Sequence, residues 1–323
     1  MARDAPFSMS AIVRIVLLCL ALAAHGARAQ QTLDVPFVGT PPVVVDAMLA
    51  LGQVGADDYV IDLGCGDGRL VIAAARQRGA RGYGVDLDSA LIHAARQAAE
   101  RAGVQGRVAF DVKNLYVTDI ARASVLTLYL FPRVNLDLRP RLFRELKPGT
   151  RVVSHEFDFG NWRPDAQVTV DVPDKPYGPP RSTVYLWIVP ADASGRWVWR
   201  LPGRGEASYE AVFDQTFQEL RAMQDAGGRR IVGARLRGDE ITFTLESGGA
   251  VERYRGRIDG DGISGTVATR EGEYSWVASR VARGRMNIEA EQARPAVSNL
   301  RRMGDRPYAQ VFPFPPPRGK GPG

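Results

Sequence analysis

Thiols and imidazoles are scarce in this chain of 323 residues, which carries two cysteines, Cys19 and Cys65, and three histidines. So few thiols exclude a disulfide scaffold, and no Cys/His cluster with metal-ligand spacing can be assembled, so no metal site is expected. A block of one charge is also missing. The net charge of +6 comes from arginines scattered over the whole length. Weak attraction to anionic surfaces follows from that sign, whereas a nucleic-acid partner does not. With 45% apolar and 24% charged residues, neither a disordered chain nor a repetitive fibre fits. The length leaves room for one large or two smaller domains.

Long apolar runs are missing as well. The run Ile15–Ala24 has ten residues, a helical rise of roughly 15 Å, or about half a bilayer core. Arg3 and Arg14 precede or flank it, and Ala27-Arg28-Ala29 supplies a small-x-small cleavage pattern before Gln30. Residues 1–29 therefore read as a secretory signal, with Met9 as a possible true start. The expected location is exported or periplasmic, tethered to the membrane if the leader stays uncut, with no stable span after cleavage. Leu17-Leu18 before Cys19 does not suit a lipobox.

From residue 31 to 189, strand-like and helix-like segments alternate, which predicts an α/β fold with a Rossmann-like, doubly wound sheet. Strands are expected at Tyr59–Leu63, Gly82–Asp86, Val108–Val112, Val125–Phe131, Arg151–Phe157 and Thr183–Val189. Helices are expected at Val43–Leu51, Arg69–Arg78, Ala90–Ala102 and Asn135–Leu146. Beyond Pro190 the texture changes to short runs separated by Gly/Asp turns, such as Gly238-Asp239 and Asp259-Gly260-Asp261-Gly262. That spacing predicts a smaller antiparallel β-meander domain over 190–283. Glu206–Ala226 suits either a helix or a strand and is assigned to strand by its β neighbours. The remainder, 284–323, is arginine-rich and then Pro/Gly-rich, and is expected to stay unpacked.

The chemistry concentrates in Val60-Ile61-Asp62-Leu63-Gly64-Cys65-Gly66-Asp67-Gly68-Arg69, where a buried strand passes into a helix through three alternating glycines. Glycines at Gly64, Gly66 and Gly68 permit positive φ and let a ligand lie on the backbone. A dinucleotide loop follows G-x-G-x-x-G, but this one is a residue shorter. Asp62, two residues before the first glycine, repels a phosphate and attracts an ammonium group. The ligand that meets both conditions is S-adenosylmethionine (SAM). Asp86 ends the second strand, where an acid can chelate two ribose hydroxyls. At the end of the third strand the side-chain carbonyl of Asn114, or alternatively Asp111, is placed to accept the adenine amino hydrogens.

With its acid before the glycines, this segment resembles the class I, seven-strand SAM-dependent methyltransferases. More narrowly, Pro36-Phe37-Val38-Gly39-Thr40-Pro41 followed by Asp62–Ala75 is similar to the ATP-synthase c-subunit lysine methyltransferase family and its bacterial relatives. His155-Glu-Phe-Asp-Phe-Gly-Asn-Trp162 falls where that family has an aromatic segment ending in Trp. The resemblance covers residues 33 to 189. It implies that Pro36–Pro41 closes over the cofactor, and that Thr40, Asp62, Gly64, Cys65, Gly66, Asp67, Gly68, Asp86, Asn114 and Leu115 form its site. Cys65 is read as a small filler rather than a nucleophile.

Methyl transfer from a sulfonium is an in-line displacement, in which the protein supplies alignment, desolvation and an uncharged nucleophile. The fourth strand runs into Tyr129-Leu130-Phe131-Pro132 and lacks the Asn/Asp-Pro-Pro-aromatic pattern of base methyltransferases. A protein lysine is the expected acceptor, desolvated in a channel of Tyr129, Phe131, Pro132, Phe157 and Trp162. Tyr129, His155 and Glu156 are the candidate catalytic groups. Two other readings stay open: a small-molecule O- or N-methyltransferase, and a non-catalytic exported envelope protein whose β domain binds a partner.

Overall fold

The computed structural model describes residues 38–176, 178–201, 208–222 and 229–289. The leader, Pro36-Phe37 and the tail from residue 290 lie outside them. Two lobes follow one another along the chain, and each is built on its own sheet.

The first sheet has seven strands: β1 (Tyr59–Leu63), β2 (Arg81–Asp86), β3 (Val108–Val112), β4 (Val125–Leu128), β5 (Arg151–His155), β6 (Ala166–Asp171) and β7 (Arg181–Ile188). Their spatial order is β3-β2-β1-β4-β5-β7-β6. The pairs β1–β2, β1–β4, β2–β3 and β4–β5 are parallel, whereas β7 runs antiparallel to β5 and β6. Strand order reverses between β1 and β4, and ligands collect at the carboxyl ends of strands at such a switch point.

Four helices cover this sheet: α1 (Pro42–Leu51), α2 (Arg69–Arg78), α3 (Ser89–Arg101) and α4 (Pro132–Glu145). Proline opens α1 and α4 in their first turn, where its missing N–H costs nothing. Asp88 caps α3 by accepting from Ala90 N–H and Leu91 N–H. Gly79 ends α2 in the left-handed region, and its N–H donates to the Ala75 carbonyl. Val44, Val45, Met48 and Leu49 of α1 pack with Val60, Leu70, Ala74, Val125, Val153 and Leu186. Ile92, Ala95 and Ala99 of α3, at helical spacing, close with Val71, Ala75 and Phe110.

The second lobe holds β8 (Gly195–Arg200), β9 (Ser208–Thr216), β10 (Glu219–Ala222), β11 (Arg230–Arg237), β12 (Glu240–Ser247), β13 (Ala250–Asp259), β14 (Gly262–Ala268) and β15 (Glu273–Arg283). All eight join one antiparallel sheet, in the order β10-β9-β8-β15-β14-β13-β12-β11. Its edge strands β10 and β11 approach each other, so the sheet is nearly a barrel. Burial along β13 alternates residue by residue, so one face lines the interior. Trp197, Trp199, Phe213, Phe243, Tyr254 and Trp276 fill that interior. Phe243 stacks on Tyr254 with centroids 4.7 Å apart, and Trp276 meets Tyr254 edge-on at 5.0 Å.

Several sequence boundaries shift. The expected meander is present as β11 to β15, but β8, β9 and β10 extend it to eight strands, and β8 closes onto β15. Strands β6 and β8 are additions to the sequence reading, although Ala166, Val168 and Val170 of β6 and Trp197 and Trp199 of β8 do alternate along the chain. β4 ends at Leu128 rather than Phe131, because Phe131 must enter α4 at Pro132. β5 ends at His155 because Glu156 has φ 69°, which breaks the strand. Where it is described, Glu206–Ala226 forms the two strands β9 and β10, joined by a turn at Phe217-Gln218.

Trp162 joins the two lobes. It is fully buried among Phe143, Phe159, Trp187 and Phe217, and its indole N–H donates to Gln218 Oε1 at 2.9 Å. Gln218 in turn donates to the Arg163 carbonyl at 2.7 Å. Replacing Trp162 with Ala removes a large side chain and leaves Gln218 without its donor. Urea unfolding should show a loss of about 3–5 kcal/mol, whereas a loss below about 1 kcal/mol would mean that the junction does not rest on this ring.

Candidate active site

The turn between β1 and α2 adopts the conformation that its glycines predict, with φ of 80° at Gly64, 54° at Gly66 and 75° at Gly68. A Cβ on Gly64 would lie 2.9 Å from Leu130, and one on Gly68 would lie 2.7 Å from the Phe110 ring. Side chains are therefore excluded twice over, by backbone angle and by space.

Asp62 is the buried acid of the site. Its one hydrogen-bond donor among the described residues is Thr127 Oγ1 on β4, 2.7 Å away, and parallel register sets these two residues opposite each other. Burial raises the Asp62 pKa from 3.8 to about 7, against the Thr127 hydrogen bond, and the charges of Asp86 and Asp67 add to the rise. Asp86 lies at the tip of β2. One of its carboxylate oxygens accepts from Gly66 N–H at 2.9 Å, the other from Asp88 N–H at 3.0 Å.

Other residues of the expected set play supporting parts. Asp67 faces Arg69 in a two-pronged ion pair, with Nε–Oδ1 at 2.8 Å and Nη2–Oδ2 at 2.6 Å. Arg69 also donates to the buried Thr40 carbonyl at 2.9 Å, which pins the entry segment to the glycine turn. Cys65 is buried against Gly84, where a Cβ would come within 2.7 Å of its sulfur. Burial, with the charges of Asp62 and Asp86, pushes this thiol far up, so it is a protonated filler. Asn114 Oδ1 accepts from Tyr116 N–H at 2.8 Å and caps the short 3-10 turn begun by Leu115. Asp111 is engaged by Tyr83 Oη and Arg96.

On the other side of the switch point, Tyr129 lies against His155 with ring centroids 3.9 Å apart. Phe157 stands 6.3 Å from Tyr129 and 6.2 Å from Phe131. Pro132 is exposed at the start of α4. Burial, reinforced by the Lys175 charge, lowers the His155 pKa to about 3, so the imidazole is neutral. Trp162 is not with this group. It lies in the junction between the lobes, where full burial leaves it no face for a channel. Sequence reading missed Thr127, Arg69 as a clamp, and Lys175. A lone threonine in an apolar strand was the only signal for the first, and the third sits in a loop without pattern.

Over residues 62–166 the chain matches the ANTKMT methyltransferase domain family. A protein-lysine N-methyltransferase of Saccharolobus islandicus (strain REY15A) is 42% identical over 156 residues, which cover 48% of this chain and 94% of that protein. The chain belongs to the protein-lysine N-methyltransferase family. The adenine nucleotide translocase lysine N-methyltransferase of Mus musculus is 37% identical over 142 residues, 44% of this chain and 61% of that protein. A crystal structure of an RNA methyltransferase from Salinibacter ruber with S-adenosyl-L-homocysteine shares 50% identity over 47% of this chain and 93% of that one, with a TM-score of 0.43.

SAM is the cofactor of this family, and the residues present fit it. Asp62 is a buried acid with a single donor among the described residues, beside a turn where Gly64 and Gly68 leave no room for a Cβ. Asp67 and Asp86 put negative charge around the turn, which Arg69 offsets in part. Burial and that field keep Asp62 protonated, and the field favours a cationic head over a phosphate.

Between pH 4 and 7 folded Asp62 holds a proton that the unfolded chain has released. The ligand-free protein therefore loses stability as pH rises through that window. Asp62→Asn keeps an acceptor for Thr127 and cannot ionise. Its unfolding free energy relative to wild type should grow across the window and level off above it, while SAM affinity falls. A difference that stays flat from pH 4 to 8 would show that Asp62 is not desolvated.

Proposed function

We propose that this chain is an exported, SAM-dependent N-methyltransferase acting on a lysine side chain of a protein. One arrangement carries this reading: an acid-lined glycine turn after β1, next to an aromatic lip of Tyr129, Phe131, His155 and Phe157 at the carboxyl ends of β4 and β5. When bound, SAM supplies an electrophilic methyl group on a sulfonium. The residues of this chain do the rest. Asp62 and Asp86 hold and orient the cofactor, Asn114 is placed at its adenine end, and Thr40, drawn in by Arg69, closes the entry. The aromatic rings exclude water from the acceptor amine, which favours its neutral, nucleophilic form. His155, held neutral, puts no opposing charge beside the reacting centre.

The name of the Saccharolobus relative supports lysine as the acceptor. The apolar leader with its small-x-small end supports export. An aromatic, apolar lip suits a lysine stem better than a polar small molecule.

Calorimetry with the purified protein should show SAM binding. Asp86→Ala should weaken it by about 10- to 100-fold, as expected for lost hydrogen bonds to a charged group. Transfer of labelled methyl to lysine in a cell-envelope protein fraction should fall in parallel. Absence of SAM binding would end this reading. Mass spectrometry of the protein from fractionated cells should find Gln30 as the first residue outside the cytosol, and an intact leader in the cytosolic fraction would remove export from the proposal.

A further inference from the structure

Just beyond β5 the chain takes a conformation that needs a reason. Glu156 has φ 69°, and Phe157 N–H donates to the His155 carbonyl at 2.9 Å, closing a three-residue γ-turn on a non-glycine residue. This turn form is rare and strained, and such strain persists only where the surroundings enforce it. Here they do. Ser154 Oγ donates to the Phe157 carbonyl at 2.6 Å, and Asn135 Nδ2 donates to the Phe157 and Asp158 carbonyls at 3.2 and 3.3 Å. Glu156 N–H is tied to the Thr183 carbonyl at 2.7 Å.

What the turn presents is a carboxylate at the edge of the aromatic lip. Glu156 Oε1 accepts from Lys175 Nζ at 2.8 Å. Glu156 Oε2 is buried without a hydrogen-bond partner among the described residues, 3.5 Å from His155 Nε2. The His155 side chain is only 1% exposed, and among the same residues neither of its ring nitrogens has a partner. A buried, unsatisfied carboxylate oxygen beside an unsatisfied imidazole is costly unless something else binds there.

Lys175 shows what that is. It lies on the loop between β6 and β7, which the antiparallel pairing of β7 returns to the carboxyl end of β5. Its side chain is 7% exposed, and its ammonium is held by Glu156 and by the Arg181 carbonyl at 2.8 Å. A primary ammonium on a four-carbon stem thus already occupies the rim of the lip.

We infer that Glu156 is an ammonium-binding subsite for the incoming acceptor lysine, and that Lys175 is its resident counter-ion, displaced when the acceptor enters. The inference rests on the lysine-acceptor reading above. Displacement of Lys175 opens Glu156 Oε1 to the arriving ammonium, with Oε2 as a second acceptor beside it, and the amine gives up its proton only on passing from this rim to the rings. A ligand lacking a primary ammonium gains nothing at this carboxylate.

The probe is n-butylammonium chloride, titrated by calorimetry against protein saturated with S-adenosylhomocysteine, with sodium chloride at equal ionic strength as the control. Lys175→Met should tighten probe binding at least tenfold over wild type. Lys175→Arg, which keeps the ion pair, should bind as wild type does. Adding Glu156→Gln to Lys175→Met should cancel the gain. Equal probe affinity in wild type and Lys175→Met, or a gain that survives Glu156→Gln, overturns the subsite. Methyl transfer to protein lysine, measured separately, tells the two failures apart. Transfer without the Lys175→Met gain removes only the subsite, whereas the gain without transfer removes only the lysine-acceptor reading.

Discussion

A carboxylate kept out of water at a reversal of strand order governs the first lobe. Asp62 is held by Thr127 across the β1–β4 pair, and its burial makes it an acid that resists ionising. Gly64 and Gly68 of the turn beside it have no room for side chains, and the charge of Asp86 at the tip of β2 adds to that resistance. Such a site is poor for phosphate and suited to a cation that carries its own hydrogen-bond donors. Family membership and local electrostatics therefore arrive at one cofactor by separate routes.

The acceptor side is assembled differently. Tyr129 and Phe131 leave β4 because a proline must open α4, and Glu156 leaves β5 through a strained turn locked by Ser154 and Asn135. These groups are brought together by three strands and a helix, with Lys175 supplied by a hairpin that reverses the sheet direction. The rings of Tyr129 and His155 pack on each other at the ends of β4 and β5, and the Glu156–Lys175 ion pair closes the same edge.

The second lobe owes its stability to one aromatic interior and is joined to the first through Trp162. By sequence alone, the tryptophan that ends the His155–Trp162 segment reads as a channel wall. Burial among Phe143, Trp187 and Phe217 makes it a joint instead, which explains an aromatic there without any contact to substrate.

Much of the cofactor half was legible in the chain order because it is local. A strand, three alternate glycines and a helix are contiguous, and their φ values follow from residue type alone. Asp62 and Asp86 could be picked out because each lies at or near the end of a strand whose apolar pattern is plain. Pairing and burial decided the rest. Only register places Thr127 opposite Asp62, only the hairpin brings Lys175 to Glu156, and only the closing of β8 onto β15 turns a meander into a near-barrel. Contacts between residues far apart in sequence depend on which surfaces the fold removes from water, and no local pattern records that choice.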